Sequence, residues 1–150
     1  MFKKAIVLAM VIALLSALAP AASAKTTGLL CRGTQCNGVD PQTSGCGNDA
    51  RTLETVEDTG GWVILELRYS PTCYAVWARV NNFRGVSGVA KIIGYSGGQF
   101  MSEQLKTLAA YPNESAYTKM ISFTYTTYAC YRKFHDLFGW TEWCSGGHQP

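Results

Sequence analysis

Trp62-Val63-Ile64-Leu65-Glu66-Leu67-Arg68-Tyr69-Ser70-Pro71-Thr72-Cys73-Tyr74-Ala75-Val76-Trp77-Ala78-Arg79-Val80 is the stretch around which the chain is organised. Strand formers crowd both arms, and Pro71-Thr72 supplies a tight turn between them, so the stretch predicts a β-hairpin. With Ser70 facing Cys73, one face carries Val63, Leu65, Leu67 and Tyr69 against Val80, Ala78, Val76 and Tyr74, all apolar or aromatic. The other face carries Ile64, Glu66, Arg68 and Ser70 against Arg79, Trp77, Ala75 and Cys73. A one-residue slip of either strand mixes the two sets, so the hydrophobic pattern itself selects which face is buried. Val63, Leu65, Leu67, Tyr69, Val76 and Val80 are the expected core of the hairpin.

Outward from the hairpin, further strands follow. Arg51 to Asp58 reads as one, ending at Gly60-Gly61, and Asn81 to Gly88 reads as a loop. Val89 to Tyr95 is another strand, turned by Ser96-Gly97-Gly98 into Gln99 to Leu105, where Met101, Leu105 and Leu108 also fit a helical stripe. Ala116 to Phe134 is a long strand-like run in which Ile121, Phe123 and Tyr125 alternate with Ser122, Thr124 and Thr126. The tail from His135 to Cys144 reads as turn-like, and Ser145 to Pro150 as frayed. Six to seven short strands with Gly/Pro-rich turns predict an all-β domain, an antiparallel barrel or sandwich spanning residues 51–144. A barrel is preferred because it leaves fewer open edges in so small a protein.

The N-terminal end carries an export pattern. Lys3 and Lys4 precede the uncharged apolar run Ala5 to Ala19, and Ala22-Ser23-Ala24 is an A-x-A cleavage pattern. The run is shorter than the roughly 20 residues of a membrane span, and Leu30 before Cys31 does not suit lipid attachment. Residues 1–24 are therefore expected to be a signal peptide removed after Ala24, leaving a secreted, monomeric domain with no membrane anchor. Two of the 13 basic residues lie in that leader, so the remainder carries 11 basic against 10 acidic residues. A near-neutral surface without a basic cluster argues against nucleic acid as a partner.

All six cysteines lie beyond the leader, at positions 31, 36, 46, 73, 130 and 144. An even count in an exported domain implies three disulfides. A zinc site lacks a C-x-x-C knuckle, with only His135 and His148 to help, and no metal or cofactor is expected. Cys130–Cys144 would close a compact loop and hold the Trp-rich tail on the last strand. The other four can pair three ways. The preferred scheme is Cys31–Cys36, a local ring relaxed by Gly33, with Cys46–Cys73 tying the N-terminal segment to the hairpin turn. That segment, residues 25–50, is rich in Gly, Asn, Thr and Asp and holds turn signals rather than elements. Asp40, Asn48 and Asp49 lack the calcium-loop spacing and suit Asx turns.

Cys36-Asn37-Gly38-Val39-Asp40-Pro41, Thr43-Ser44-Gly45-Cys46, Asp49-Ala50, Glu66-Leu67-Arg68-Tyr69-Ser70-Pro71-Thr72-Cys73 and Trp77-Ala78-Arg79 together resemble a family of small secreted proteins of Gram-positive bacteria, catalogued as domain of unknown function 2690. Ala116-Tyr117-Thr118 with Met120, Cys130 and Cys144 also fit. The resemblance implies export and a compact disulfide-bonded domain. It brings no activity and no catalytic residue, and the bulky stretch from Tyr125 to Trp143 departs from it.

No assembled catalytic signature stands in the chain: it has no G-x-S-x-G elbow, no H-E-x-x-H and no phosphate loop. Adjacent His135 and Asp136 would point to opposite faces of a strand. Glycan hydrolysis through paired carboxylates has Glu54, Glu57, Glu66, Glu103, Glu114 and Glu142 as candidates, with no spacing that selects two. The leading expectation is a non-catalytic binding module outside the cell, with a protein or a cell-wall carbohydrate as partner. Trp62, Trp77, Trp140, Trp143 and eight tyrosines offer flat faces for stacking, though aromatics in a small β-protein mostly make core.

The polar hairpin face gathers Glu66, Arg68, Trp77 and Arg79. In the register above Glu66 stands opposite Trp77, with Arg79 diagonal to Glu66 and Arg68 diagonal to Trp77. One reading is a recognition patch gripping an anionic group. The preferred reading is an ion-pair and cation–π cluster roofed by residues 31–50, because that loop has no core of its own.

Overall fold

A computed structural model describes residues 30–135 and 139–150. The expected leader and the side chains of His135 and Asp136 lie outside the described residues. Among the described residues, nine strands form two antiparallel sheets. The first sheet runs β1 (Arg51–Glu57), β2 (Val63–Ser70), β3 (Ala75–Asn82), with two short strands, β6 (Glu114–Tyr117) and β7 (Ile121–Ser122), sharing the far edge of β3. The second runs β5 (Gln99–Leu108), β4 (Gly88–Ser96), β8 (Thr126–His135), β9 (Gly139–Cys144). Among the described residues no helix is long and apolar enough to cross a membrane.

The core lies between the sheets. Val63, Leu65, Leu67, Tyr69, Val76, Ala78 and Val80 from the hairpin meet Ala90, Ile92, Ala129 and Tyr131 from the second sheet, and all are buried. The six residues expected as the hairpin core are therefore in it.

The architecture is a sandwich, and the preferred barrel is corrected. No hydrogen-bonded strand pair joins the two sheets among the described residues. The chain crosses from one sheet to the other through a corner at Phe123 to Tyr125, where Phe123 N–H donates to the Tyr74 carbonyl at 3.1 Å and Ser122 and Thr124 hydroxyls meet at 2.8 Å.

The hairpin register differs from the expected one by a loop twice as long. Ser70 pairs with Ala75, Tyr69 with Val76, Leu67 with Ala78 and Leu65 with Val80. Pro71 to Tyr74 all lie in the turn, and Tyr74 takes a left-handed backbone (φ 51°). The N-terminal segment imposes this: Asp49 accepts from Thr72 N–H at 2.8 Å and from the Ser70 hydroxyl at 2.5 Å, and Ser70 Oγ accepts from Cys73 N–H at 3.1 Å. The pairing moves by two residues, an even number, so each side chain keeps its face. Glu66 now stands opposite Arg79, and Arg68 opposite Trp77.

Three other differences concern the second half. The long run from Ala116 to Phe134 divides into β6, β7 and β8, because Met120 turns away to bury with Trp77. The Trp-rich tail, expected as a turn, forms β9 against β8. Gln99 to Leu108, by contrast, is the hairpin partner expected there, longer by three residues: Gly97 and Gly98, both at positive φ, make the two-residue turn that a hairpin favours. Residues 145–150 are held rather than frayed. Ser145 Oγ accepts from Ala129 N–H at 3.0 Å, His148 exchanges backbone hydrogen bonds with Thr127, and Glu54 accepts from Gly146 N–H and pairs with His148 Nε2 at 2.6 Å.

Candidate functional site

The structure pairs Cys31 with Cys36, Cys46 with Cys73 and Cys130 with Cys144. The first two bridges sit together: Cys31 Sγ lies 3.9 Å from Cys46 Sγ, and all four sulfurs lie within 4.8 Å of one another. They carry a second, smaller core. Cys36, Cys46, Cys73, Ala75, Trp77 and Met120 bury together on the outer face of the hairpin, with Val39, Ala50 and Tyr117 packed against them. Two single-turn 3₁₀ helices, Gly33–Cys36 and Cys46–Asp49, place the cysteines. Between them Asp40 Oδ1 accepts from Gln42 and Thr43 N–H, an Asx turn that spends this acid on its own backbone.

The four residues of the polar hairpin face lie at the border of this roof. Trp77 is 2% exposed, so its ring offers nothing to an external ligand. Arg79 Nε donates to Glu66 Oε2, and Arg68 Nη1 lies 3.9 Å from the same oxygen. Arg68 also donates to the Ala50 carbonyl at 3.0 Å and to Thr52 Oγ1 at 2.7 Å, one guanidinium fork binding roof and strand together. Burial, with the neighbouring Arg79 charge, lowers the pKa of Arg68, while Glu66 opposes the shift. At Asp49 burial pushes the carboxyl up, but the hydrogen bonds from Ser70 and Thr72 outweigh it and hold the group below its ordinary value. These charged groups are partnered within the protein, although Arg79 stays partly exposed.

The opposite sheet presents a different surface. Its outer face has no covering segment among the described residues. Phe100 on β5, Tyr95 on β4 and Tyr128 on β8 form a row across three strands, with ring centroids 6.2 and 6.0 Å apart and steep interplanar angles of 78° and 80°. Phe100 and Leu105 are about 60% and 58% exposed, and Met101 is exposed beside them. Ile93 and Val89 continue the same face towards Arg132 and Trp140, whose guanidinium and indole lie 4.6 Å apart. The Lys91–Glu142 pair at 2.7 Å bridges the middle of this face.

The other tryptophans do not form a flat array. Trp143 stacks on Tyr131 inside, and Trp62 and Trp143 flank Lys133 as it pairs with buried Asp58 at 3.2 Å. The glutamates proposed for hydrolysis are dispersed: Glu54 serves the C-terminal tail, Glu66 the two arginines and Glu142 Lys91. Glu114 instead shares a cleft with Asp40, which sequence reasoning had not paired with it. Both line a cleft of about 320 Å³ beside β5 and β6, with Lys106, Lys119, Tyr117 and Leu105. Glu114 Oε2 is shielded there without a hydrogen-bond partner. No sequence spacing marks this pair, since the two positions lie 74 apart with all of β1 to β5 between them.

No curated protein and no solved structure matches the chain. A family model does match, over residues 34–130, which hold the roof from Thr34 on, the hairpin and both sheets as far as Cys130. The chain belongs to the family described as Protein of unknown function (DUF2690).

Proposed function

We propose that this chain is a non-catalytic binding module that works outside the cell, exported by cleavage after Ala24, and that it takes a protein partner on the outer face of the β5-β4-β8-β9 sheet. The observation that carries the reading is the aromatic row of Phe100, Tyr95 and Tyr128, with Met101 and Leu105 exposed on the same edge strand. An uncovered apolar face of this kind suits a protein surface. Sugar rings are better served by coplanar exposed rings, and here Tyr95 stands edge-on to both neighbours. Three disulfides suit an oxidising compartment.

The test is capture of extracellular and cell-surface proteins, alongside a cell-wall glycan screen, with the wild-type protein and with Phe100→Ser/Leu105→Ser. Loss of one captured protein in the variant, with melting unchanged, supports the reading. A glycan ligand retained by that variant overturns it. A second reading, glycan hydrolysis, is favoured by one feature alone, the Asp40/Glu114 cleft. It requires glycan cleavage that Glu114→Gln abolishes.

A further inference from the structure

We infer that the four sulfurs beneath the roof form a latent tetrathiolate metal site: when Cys31–Cys36 and Cys46–Cys73 are reduced, Cys31, Cys36, Cys46 and Cys73 bind one zinc ion in their place. The inference is independent of the binding surface on the other sheet. It rests on position. A tetrahedral zinc with four thiolates, each at about 2.3 Å, sets its sulfurs about 3.8 Å apart. Here the four ligand atoms already lie within 4.8 Å of one another, and the contact between the two bridges is 3.9 Å. Parting the bonded pairs to that spacing moves each sulfur by roughly 1 Å, within reach of side-chain rotation.

The surroundings suit a structural site. Cys36, Cys46 and Cys73 are buried, and Trp77, Ala75 and Met120 close the inner side against water. Four soft donors with no open position favour zinc over hard cations such as magnesium or calcium. Four thiolates and one zinc leave a charge of −2, and Arg32, beside Cys31 and bonded to the Thr72 carbonyl at 2.9 Å, lies next to it. The absence of a C-x-x-C knuckle, which argued against zinc in the sequence, does not bear on this site. Cysteines 31, 36 and 46 converge through the turns of the N-terminal segment, and Cys73 is brought to them by the hairpin loop.

The chemistry balances with a named reductant. Each disulfide takes two electrons from a phosphine, which ends as the phosphine oxide with oxygen from water, and two protons, giving two thiols. Zinc then displaces four protons as it binds four thiolates. The metal and the two disulfides are thus alternative staples for the same roof: the bridges in an oxidising compartment, the ion in a reducing one.

The purified chain is reduced with a phosphine, freed of metal, and titrated with zinc. One zinc per chain is expected, with four sulfur neighbours by X-ray absorption. Trp77 supplies the folding readout. Its emission, taken as the difference between the wild type and Trp77→Phe, should shift red in the reduced metal-free chain and return blue when zinc is added. Cys130→Ala/Cys144→Ala should bind zinc as the wild type does, and Cys36→Ser should lose stoichiometric binding. Fewer than four sulfur ligands, participation of Cys130 or Cys144, or a Trp77 signal that zinc fails to restore would each overturn the inference, the last because it would mean an unfolded chain holding the ion.

Discussion

The two sheets bury similar inner faces but treat their outer faces in opposite ways. The outer face of the hairpin sheet is roofed by residues 31–50, which add a small second core around their cysteines and are held by two disulfides, an Asx turn and the Arg68 fork. The outer face of the β5-β4-β8-β9 sheet keeps Phe100, Met101 and Leu105 in solvent. The same residue type therefore means different things on the two sides. Trp77, an aromatic among charged neighbours, is structural because a loop covers it. Phe100, an aromatic on an edge strand, stays available because nothing described covers it. Exposure, and not residue chemistry, separates the scaffold from the surface that can meet a partner.

The comparison can be broken by substitution, beginning with the largest effect. Trp77→Ala should cost about 3–5 kcal/mol of unfolding free energy, measured by denaturant titration. A loss below about 0.5 kcal/mol, the range of ordinary surface changes, would mean the roof does not seat on it. Removing the longer bridge with Cys46→Ala/Cys73→Ala should cost about 3–4 kcal/mol for a loop of this length. It should also accelerate amide exchange in residues 31–50 while leaving β4, β5 and β8 protected. Uniform acceleration in both sheets would show that roof and sandwich open as one unit.

Glu66→Ala strips two guanidinium groups of their carboxylate and should cost about 1–3 kcal/mol. Arg79→Ala should cost about 1 kcal/mol or less, because Arg79 is the more exposed partner. Equal losses would mean that Arg68 gains nothing from Glu66.

Acid should loosen the roof through Asp49. Its folded-state pKa is below the unfolded value of 3.8, so the stability it contributes is complete above that value and is lost as pH falls through the lower folded one. Asp49→Asn should therefore flatten the fall in melting temperature below pH 4, and an unchanged acid limb would remove Asp49 from the account. The smallest effect belongs to the bare side: Phe100→Ala should change stability by no more than about 0.5 kcal/mol, and a larger loss would show that the aromatic row is structural.

Sequence and fold divide the credit along a physical line. Alternation over residues 63–80 was enough to assign the buried face of the hairpin, because side-chain direction in a strand repeats every two residues and survives an even shift of register. A short ring relaxed by Gly33 led to Cys31–Cys36, and the need to tie the N-terminal segment to the hairpin turn led to Cys46–Cys73; the structure carries that same pairing. The all-β class followed from strand formers and turn residues. What local signals could not supply was anything set by distant partners. The four-residue hairpin turn depends on Asp49, 23 residues before Thr72. The ordering of residues 145–150 depends on Glu54, more than 90 residues away. The open sandwich, the convergence of four sulfurs and the cleft shared by Asp40 and Glu114 depend on how two sheets and the roof settle against one another. Those contacts join segments whose separation leaves no period in the chain, so only the tertiary structure decides them.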